Sequence, residues 1–433
     1  LNTGEGFSSP RLAARPGPGD HGESAQFIDL TGDGYPEMVY PSAEASESAR
    51  WVVHTNDLGS GFAAAETTTI RAGDLSEGDT SLMVDFNADG MLDQLFIDFE
   101  KGRVDAAETR LVRGTNYLTG GDVEAENLVK AITTGSGART EVDYRPLSDA
   151  AVHTRVHDGA TVEWGRGAAV LDLVAPVYVV SGVATLSPTF ENPLALKALE
   201  FHYVGAKAQA GGRGFLGFRE VLEWNEAESI RNHTLYRQDF PFTGLPVASM
   251  RVLASSANKL NPLTVDSPGA VPPFSDVNAN TPAVWPADGS LRLAHSIIGW
   301  EASGTAAAGK TWALQKTRVL ERTWSLGGGL LKKSLVSNAY QSQGGILQSI
   351  AETWGSESGG PSLTVTTGNQ YSPINSSRWI FNRISGTSVS HHRPGLPSIE
   401  RITAFEYNQS TGAMVREIIE PSLPEFRVTS IYG

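Results

Sequence analysis

The chain of 433 residues contains no cysteine, which excludes disulfide bonds, thiolate nucleophiles and thiolate metal sites. It also lacks any apolar run near the roughly 18 residues that a membrane-spanning helix requires, so we expect no membrane insertion by this segment. Basic residues are scarce, with 34 Lys and Arg against 48 Asp and Glu. The 46 Gly, 23 Pro and 40% hydrophobic residues suit many short strands joined by turns.

The acidic excess is concentrated in one part of the chain. Residues 21–100 contain sixteen Asp and Glu but only two basic residues, Arg50 and Arg71. The net charge of this segment, −14, equals that of the whole chain. Such a segment repels phosphate backbones, so we expect no nucleic-acid partner, whereas concentrated carboxylates attract divalent cations.

Two loops inside the acidic segment share one pattern of oxygen-bearing side chains, at an offset of 56 residues. They read FIDLTGDGYPEMVY (27–40) and MVDFNADGMLDQLFI (83–97). Oxygen ligands at loop positions 1, 3, 5, 7 and 9, with a glycine at position 6 for the sharp turn, suit Ca²⁺. The candidate ligands are Asp29, Thr31, Asp33, Tyr35 and Glu37, and Asp85, Asn87, Asp89, Met91 and Asp93, with Tyr35 and Met91 acting through their carbonyls. Strand-like flanks distinguish both loops from an EF-hand, and a metal-free turn is the alternative interpretation.

The middle of the chain carries strand patterns. Residues 127–147 alternate and turn at 135–137, which predicts a β-hairpin. Residues 170–186 predict one or two buried strands, and 212–246 combine closely spaced aromatic and branched residues between Gly, Asn and Pro. Residues 255–290 are rich in Pro, Asn and Ala without alternation, which predicts a surface loop or linker. From residue 291 onward, strand-like segments recur between turns of Gly, Ser, Asn and Pro.

Two glycine-rich motifs suggest nucleotide binding at first sight. The segment GTAAAGKT (304–311) matches the phosphate-loop pattern, but such a loop requires a buried strand before it and a helix after it. Here the following residues alternate like a strand, which favours a hairpin tip. Gly212, Gly214 and Gly217 fit GxGxxG without a βαβ context. The nine histidines are scattered and no G-x-S-x-G motif occurs, so we identify no catalytic residue and expect no enzymatic activity.

Several segments resemble known repeat families. The segments RGFLGF and YRQDFPFTGLP resemble the middle region of the B component (TcdB/TcaC-like) of insecticidal toxin complexes, and related SpvB-like and Rhs/YD-repeat proteins. The two acidic loops resemble FG-GAP/VCBS repeats of β-propellers. The segment YNQSTGAMV (407–415) resembles a YD-repeat unit, and YQSQGGIL (340–347) is a looser copy.

The resemblance implies a mainly β protein, interpreted as an internal piece of a longer one. Its domains would be a partial FG-GAP-type β-propeller (1–120), a middle-region β-hairpin domain (121–254), a linker (255–290) and the start of an Rhs/YD-repeat β-shell (291–433).

The implied function is that of a non-enzymatic scaffold of a secreted toxin. Its shell would enclose a toxic C-terminal segment, and its calcium-binding propeller would serve docking or gating. The implied partners are the remainder of the shell, the toxic cargo and a translocation or pore-forming component. The implied location is outside the bacterial cell or at its surface, with assembly in the cytoplasm before export as one route. A cell-surface YD-repeat adhesion module is the alternative.

Overall fold

Strands dominate the computed structural model of the chain, which confirms the mainly β fold class. The structure describes residues 25–29, 35–42, 50–56, 61–71, 80–85, 93–97, 111–112, 128–156, 169–173, 175, 177–187, 196–263, 277–303 and 313–433. In this part of the chain, no helix has the length and apolar composition that crossing a bilayer requires.

The strands are numbered in chain order. The first fourteen are β1 Gln26–Ile28, β2 Glu37–Pro41, β3 Arg50–His54, β4 Glu66–Arg71, β5 Thr80–Val84, β6 Asp93–Ile97, β7 Leu111–Val112, β8 Ala131–Thr133, β9 Arg139–Pro146, β10 His153–Thr154, β11 Val170–Asp172, β12 Tyr178–Leu186, β13 Leu196–Val204 and β14 Lys207–Gln209. The others are β15 Gly214–Gly217, β16 Glu220–Asn225, β17 Ile230–Tyr236, β18 Pro246–Leu253, β19 Leu291–Ser303, β20 Ala313–Trp324, β21 Leu330–Tyr340, β22 Ile346–Trp354, β23 Leu363–Tyr371, β24 Ile384–His392, β25 Ile399–Tyr407, β26 Met414–Ile419 and β27 Val428–Ile431.

Two compact units divide the chain. The first comprises Leu1–Val152 and Val174–Leu196, and the second comprises His153–Leu173 and Lys197–Gly433. In the first unit, β1 to β4 form a four-stranded sheet in chain order and β5 to β7 a three-stranded one. Strand β9 pairs antiparallel with both β8 and β12. The predicted hairpin at 127–147 is confirmed by β8 and β9, and Gly137, with φ +85°, lies in its turn.

The second unit is built around one long antiparallel meander. Strand β13 pairs with β16, and from β16 to β27 each strand pairs with the next one in the chain. Strand β10 pairs parallel with β13, while β11, β14 and β15 form a small separate sheet. The strand pattern predicted from residue 291 onward is therefore confirmed, because β19 to β27 follow one another there.

One face of this meander carries the core of the second unit. Alternation along β16 buries Leu222 and Trp224 on that face, and β17 and β18 add Leu235 and Met250. Alternate residues of a strand lie on the same face, so one apolar layer forms across neighbouring strands. The layer requires a cover from another part of the chain.

That cover is supplied by residues 254–263 and 277–290, here named the covering segment. Leu260 and Leu263 pack on the core under β16 to β18, and Val277 packs with residues of β19 to β22. The sequence predicted a surface loop or linker over 255–290, whereas these described parts contribute buried side chains. The difference has a physical reason: proline and asparagine disfavour strand pairing, but an unpaired segment can still bury its scattered apolar side chains.

Candidate functional sites

Both predicted calcium loops connect the two strands of a hairpin. Asp29 directly follows β1 and Glu37 is the first residue of β2; Asp85 directly follows β5 and Asp93 is the first residue of β6. In each hairpin the last residue of the first strand pairs with the acidic residue that opens the second. In both loops, therefore, the first predicted ligand directly follows the first strand of a hairpin and the last one opens the second strand. Strands, and not the helices of an EF-hand, flank both loops.

The rest of the two loops is described only in part. Thr31, Asp33, Asn87, Asp89 and Met91 lie outside the described residues. Tyr35 is 41% exposed, whereas Glu37 is buried and its Oε1 accepts a hydrogen bond from the Asn56 N–H at 3.4 Å. Within the described residues, no three His, Asp or Glu side chains come together as a metal site. Calcium binding by these loops stays a prediction.

A layer of ionisable side chains, which sequence reasoning missed, lies between the meander and the covering segment. His233 Nδ1 donates to Glu220 Oε1 over 2.6 Å, and both side chains are inaccessible to solvent. The Leu263 N–H approaches the two oxygens of the same carboxylate at 3.3 and 3.4 Å. One buried carboxylate thus joins β16, β17 and the covering segment.

Arg231 of β17 makes a second connection and has no exposed surface. Its guanidinium donates to the Asn258 carbonyl and to Ser290 Oγ, and Nη2 lies 2.7 Å from Asp288 Oδ2. Burial acts to raise the pKa of Asp288, but hydrogen bonds from Ser290 and the charge of Arg231 outweigh it and hold that pKa below its ordinary value. Both parts of the covering segment are therefore fixed to one guanidinium group.

A third connection joins β19 and β20 to the covering segment. His295 and Arg322 directly oppose each other across these strands. His295 Nε2 accepts a hydrogen bond from the Val284 N–H at 3.2 Å, and Arg322 Nη2 donates to the Thr281 carbonyl at 2.8 Å. Burial, reinforced by the charges of Arg322 and Arg292, lowers the pKa of His295 to about 3. The ring is therefore neutral at physiological pH.

The alternation of β16 and β17 already indicated this layer of ionisable side chains. Arg231 and His233 alternate with half-buried positions in β17 and share their buried face with Leu235, as Glu220 does with Leu222 in β16. Sequence reasoning considered the aromatic and branched residues of 212–246 and overlooked the ionisable ones. The solvent-inaccessible carboxylate of Glu220 thus contacts both His233 and the Leu263 N–H, and it positions the covering segment on the sheet.

A ladder of tyrosines, here named the tyrosine ladder, links successive hairpins of the meander. Tyr340, Tyr371 and Tyr407 each end a strand at a β-bulge. Their hydroxyls donate to backbone carbonyls of the preceding strand, those of Lys316, Ile346 and Ile384, at 2.9, 2.8 and 2.8 Å. Tyr340 and Tyr407 belong to the YD-like segments of the sequence. Sequence reasoning missed Tyr371, because the longer connection after β23 hides the repeat.

The connection between β23 and β24 presents an exposed aromatic tip beside this ladder. Trp379 is 85% exposed and has φ +55°, a left-handed conformation that bulky residues rarely adopt. The tip is held in place by neighbouring turns: Arg378 donates to the Ser410 carbonyl, and Asn382 Nδ2 donates to the Gln343 carbonyl at 2.9 Å. An aromatic side chain is thus fixed in an outward position.

The flanks of the two glycine-rich motifs do not fit nucleotide binding. Residues 304–311 lie outside the described residues, but β19 before them and β20 after them pair antiparallel, with Ser303 opposite Ala313. A strand therefore stands where a phosphate loop requires a helix. The second motif includes β15, which belongs to a small antiparallel sheet and not to a βαβ unit.

Comparison with known proteins gives one family and a set of solved structures. Residues 53–239 match the family described as the insecticide toxin TcdB middle/N-terminal region. No curated protein sequence matches the chain. The crystal structure of TcdB2–TccC3 is similar with a TM-score of 0.61 and 10% identity, covering 92% of this chain and 23% of that chain.

Two further structures show the same likeness. That of TcdB2–TccC3–Cdc42 gives a TM-score of 0.62 at 9% identity, and the Photorhabdus luminescens Tc holotoxin pore gives 0.57 at 10%. Each covers 92% of this chain and 22% of that chain, so the chain spans less than a quarter of those proteins. Over residues 53–239 the chain is therefore similar in sequence to the TcdB middle/N-terminal region, and over most of its length it has the fold of part of the Tc toxin complexes.

Proposed function

We propose that the chain is a non-enzymatic structural segment of a TcdB-like component of an insecticidal toxin complex. The observation that carries this proposal is the fold likeness over 92% of the chain to structures of TcdB2–TccC3. The family match over residues 53–239 supports it independently from sequence. A scaffold role also fits the layer of buried ionisable side chains, whose groups hold the covering segment.

The meander from β19 to β27 would form part of a β-shell wall. Along β23, for example, nearly every residue is partly buried, and the strand carries small polar residues with few large apolar ones. This pattern suits a wall with a wetted inner face better than a packed core. By analogy with the TcdB2–TccC3 complexes, a TccC3-like component would complete the shell and supply an enclosed toxic C-terminal segment.

The first unit would supply a calcium-binding propeller portion for docking or gating. Its β1–β4 sheet has the four antiparallel strands, in chain order, of one propeller blade. The two predicted calcium loops occupy equivalent hairpin connections in β1–β2 and β5–β6. A pore-forming toxin component is the partner class that this unit would meet. We place the assembled protein outside the producing cell or at its surface.

The experiment is co-expression of the tagged protein with a TccC3-like component. We expect a stoichiometric complex on size-exclusion chromatography and protection of the partner's C-terminal segment from added protease, because the wall excludes the protease. Separate elution together with unchanged digestion of the partner would refute the scaffold role.

A cell-surface adhesion module is the second candidate, and the exposed Trp379 tip is the observation that favours it. Aromatic side chains fixed in exposed positions are frequent anchors of binding surfaces. Flow cytometry with fluorescent protein separates the two candidates. Binding to target cells that is lost in Trp379→Ala, without assembly with the toxin component, would favour adhesion.

A further inference from the structure

Three buried N–H groups without a hydrogen-bond acceptor occur where the covering segment crosses β19 and β20. In the part of the chain that the structure describes, Trp285 Nε1, His295 Nδ1 and Arg322 Nη1 have no partner. The Trp285 ring lies 5.3 Å from the His295 ring, and Arg322 directly opposes His295. The side chains of His295 and Arg322 are 2% and 5% exposed, so bulk water does not satisfy these groups.

All three atoms are donors. The indole and guanidinium nitrogens can only donate. The neutral His295 ring accepts through Nε2 from the Val284 N–H, so its single proton resides on Nδ1. The missing partner is therefore a hydrogen-bond acceptor.

The charge around this cluster is positive. The Arg292 guanidinium lies 5.2 Å from the centroid of the Trp285 ring, and Arg322 is the direct neighbour of His295. The nearby carboxylate of Glu357 contacts Arg322 at Nε, 3.3 Å away, and its side chain is 54% exposed. A water molecule would bring two hydrogens of its own, and the unpartnered side-chain atoms of this cluster offer them no acceptor. An anion only accepts.

We propose that Trp285, His295 and Arg322 bind a small monovalent anion of chloride size, which joins the covering segment to β19 and β20. The anion would accept one hydrogen bond from each element, with Arg292 and Arg322 compensating its charge. This site goes beyond the scaffold role, because it makes the packing of the covering segment dependent on an inorganic ion.

Iodide quenching of tryptophan fluorescence tests the site in solution, with gluconate keeping the ionic strength constant. We expect a saturable quenching component, displaced by chloride, in addition to the linear quenching of exposed tryptophans. The saturable component should disappear in Trp285→Phe and remain in the matched control Trp379→Phe, whose ring is exposed. Arg322→Lys, which keeps the charge but loses the planar fork, should weaken the apparent iodide affinity about tenfold.

A crystal grown in bromide locates the ion directly. An anomalous peak in contact with Trp285 Nε1, His295 Nδ1 and Arg322 Nη1 would support the proposal. A water molecule at that position, or iodide quenching that is strictly linear and unaffected by chloride, would overturn it.

Discussion

His295 shows how burial sets the chemistry of a single side chain. Burial and the neighbouring arginines hold its pKa at about 3, whereas in the unfolded chain it titrates near 6.5. At pH values between about 3 and 6.5, the unfolded chain therefore binds a proton at His295 and the folded protein does not. This difference raises the free energy of unfolding at pH above 6.5, and the increase is lost as the pH falls towards 3.

We predict that His295→Gln, whose amide oxygen can still accept from the Val284 N–H, weakens this acid sensitivity. When the pH falls from 6.5 to 3, the free energy of unfolding of the variant should decrease by roughly 4 kcal/mol less than that of wild type. Urea unfolding in chloride-free buffer across this range measures the effect. The control is His392→Gln, an exposed histidine. If the difference in free energy of unfolding between wild type and the variant is the same at every pH, the prediction is wrong.

Gly345 is a second residue whose identity follows from its surroundings. A Cβ built on it would lie 2.7 Å from Cζ of Tyr371, the ring whose hydroxyl donates to the neighbouring Ile346 carbonyl. There is no room for both a methyl group and the tyrosine of the ladder. The glycine is therefore required by close approach.

We predict that Gly345→Ala displaces Tyr371 and destabilises the meander by about 1–3 kcal/mol, the usual cost of overpacking. Gly360→Ala is the matched control, because a Cβ there meets nothing within 4 Å. Thermal unfolding of the two variants measures the difference. Equal melting temperatures for both would mean that the tyrosine ladder adjusts without cost.

At the scale of elements, the covering segment is held by ionic groups as well as by apolar packing. Arg231, Glu220 and Arg322 each contact backbone or side-chain groups of the covering segment from a different part of the meander. A segment without strand pairing leaves its backbone groups unsatisfied, and these contacts satisfy several of them. The buried charged groups thus hold the covering segment in one position on the meander, which strand pairing does not do for this segment.

We predict that Asp288→Ala destabilises the second unit by about 3–5 kcal/mol, because it leaves the buried guanidinium of Arg231 without its carboxylate. The double variant Arg231→Met/Asp288→Leu should recover much of this loss, since it removes both charges together. The matched control is Glu406→Ala, which breaks an exposed pair with Arg416 and should have little effect. Denaturant unfolding measures all three. A loss for Asp288→Ala no larger than that of Glu406→Ala would argue against a structural role for the pair.

At the scale of the whole molecule, the two units are expected to respond differently to metal. The predicted calcium ligands belong to the first unit, and the covering segment and tyrosine ladder belong to the second. A ligand that binds only the folded state raises the melting temperature of the unit that holds it.

We predict that chelation of calcium destabilises the first unit, so that its amides exchange faster, and leaves exchange in the second unit unchanged. Hydrogen exchange followed by mass spectrometry distinguishes the two, with peptides from β1–β6 and from β16–β22 as reporters. Asp85→Ala/Asp89→Ala should reproduce the effect of the chelator on the first unit. If neither treatment changes exchange in β1–β6, the loops are metal-free turns.

The sequence by itself determined the class of fold and the order of its elements. Alternating branched and aromatic residues between glycine and proline turns are a local signal, so the hairpin at 127–147 and the strands after residue 291 were predictable. The likeness of 212–246 to the toxin middle region was also readable from local residues. The strand-like flanks of the two acidic loops were also readable from the sequence, whereas the pairing of each flank into a hairpin came from the structure.

Only the tertiary structure decided which polar residues are buried and what covers the meander. The burial of Glu220, Arg231 and His233 depends on residues 254–263 and 277–290, which lie between β18 and β19 in the chain and pack back on the sheet. Local sequence patterns do not indicate that this segment packs on the sheet, because the packing is driven by apolar side chains that are scattered and not periodic. For the same reason the sequence indicated neither the partner of Arg231 nor the three unpaired donors around His295.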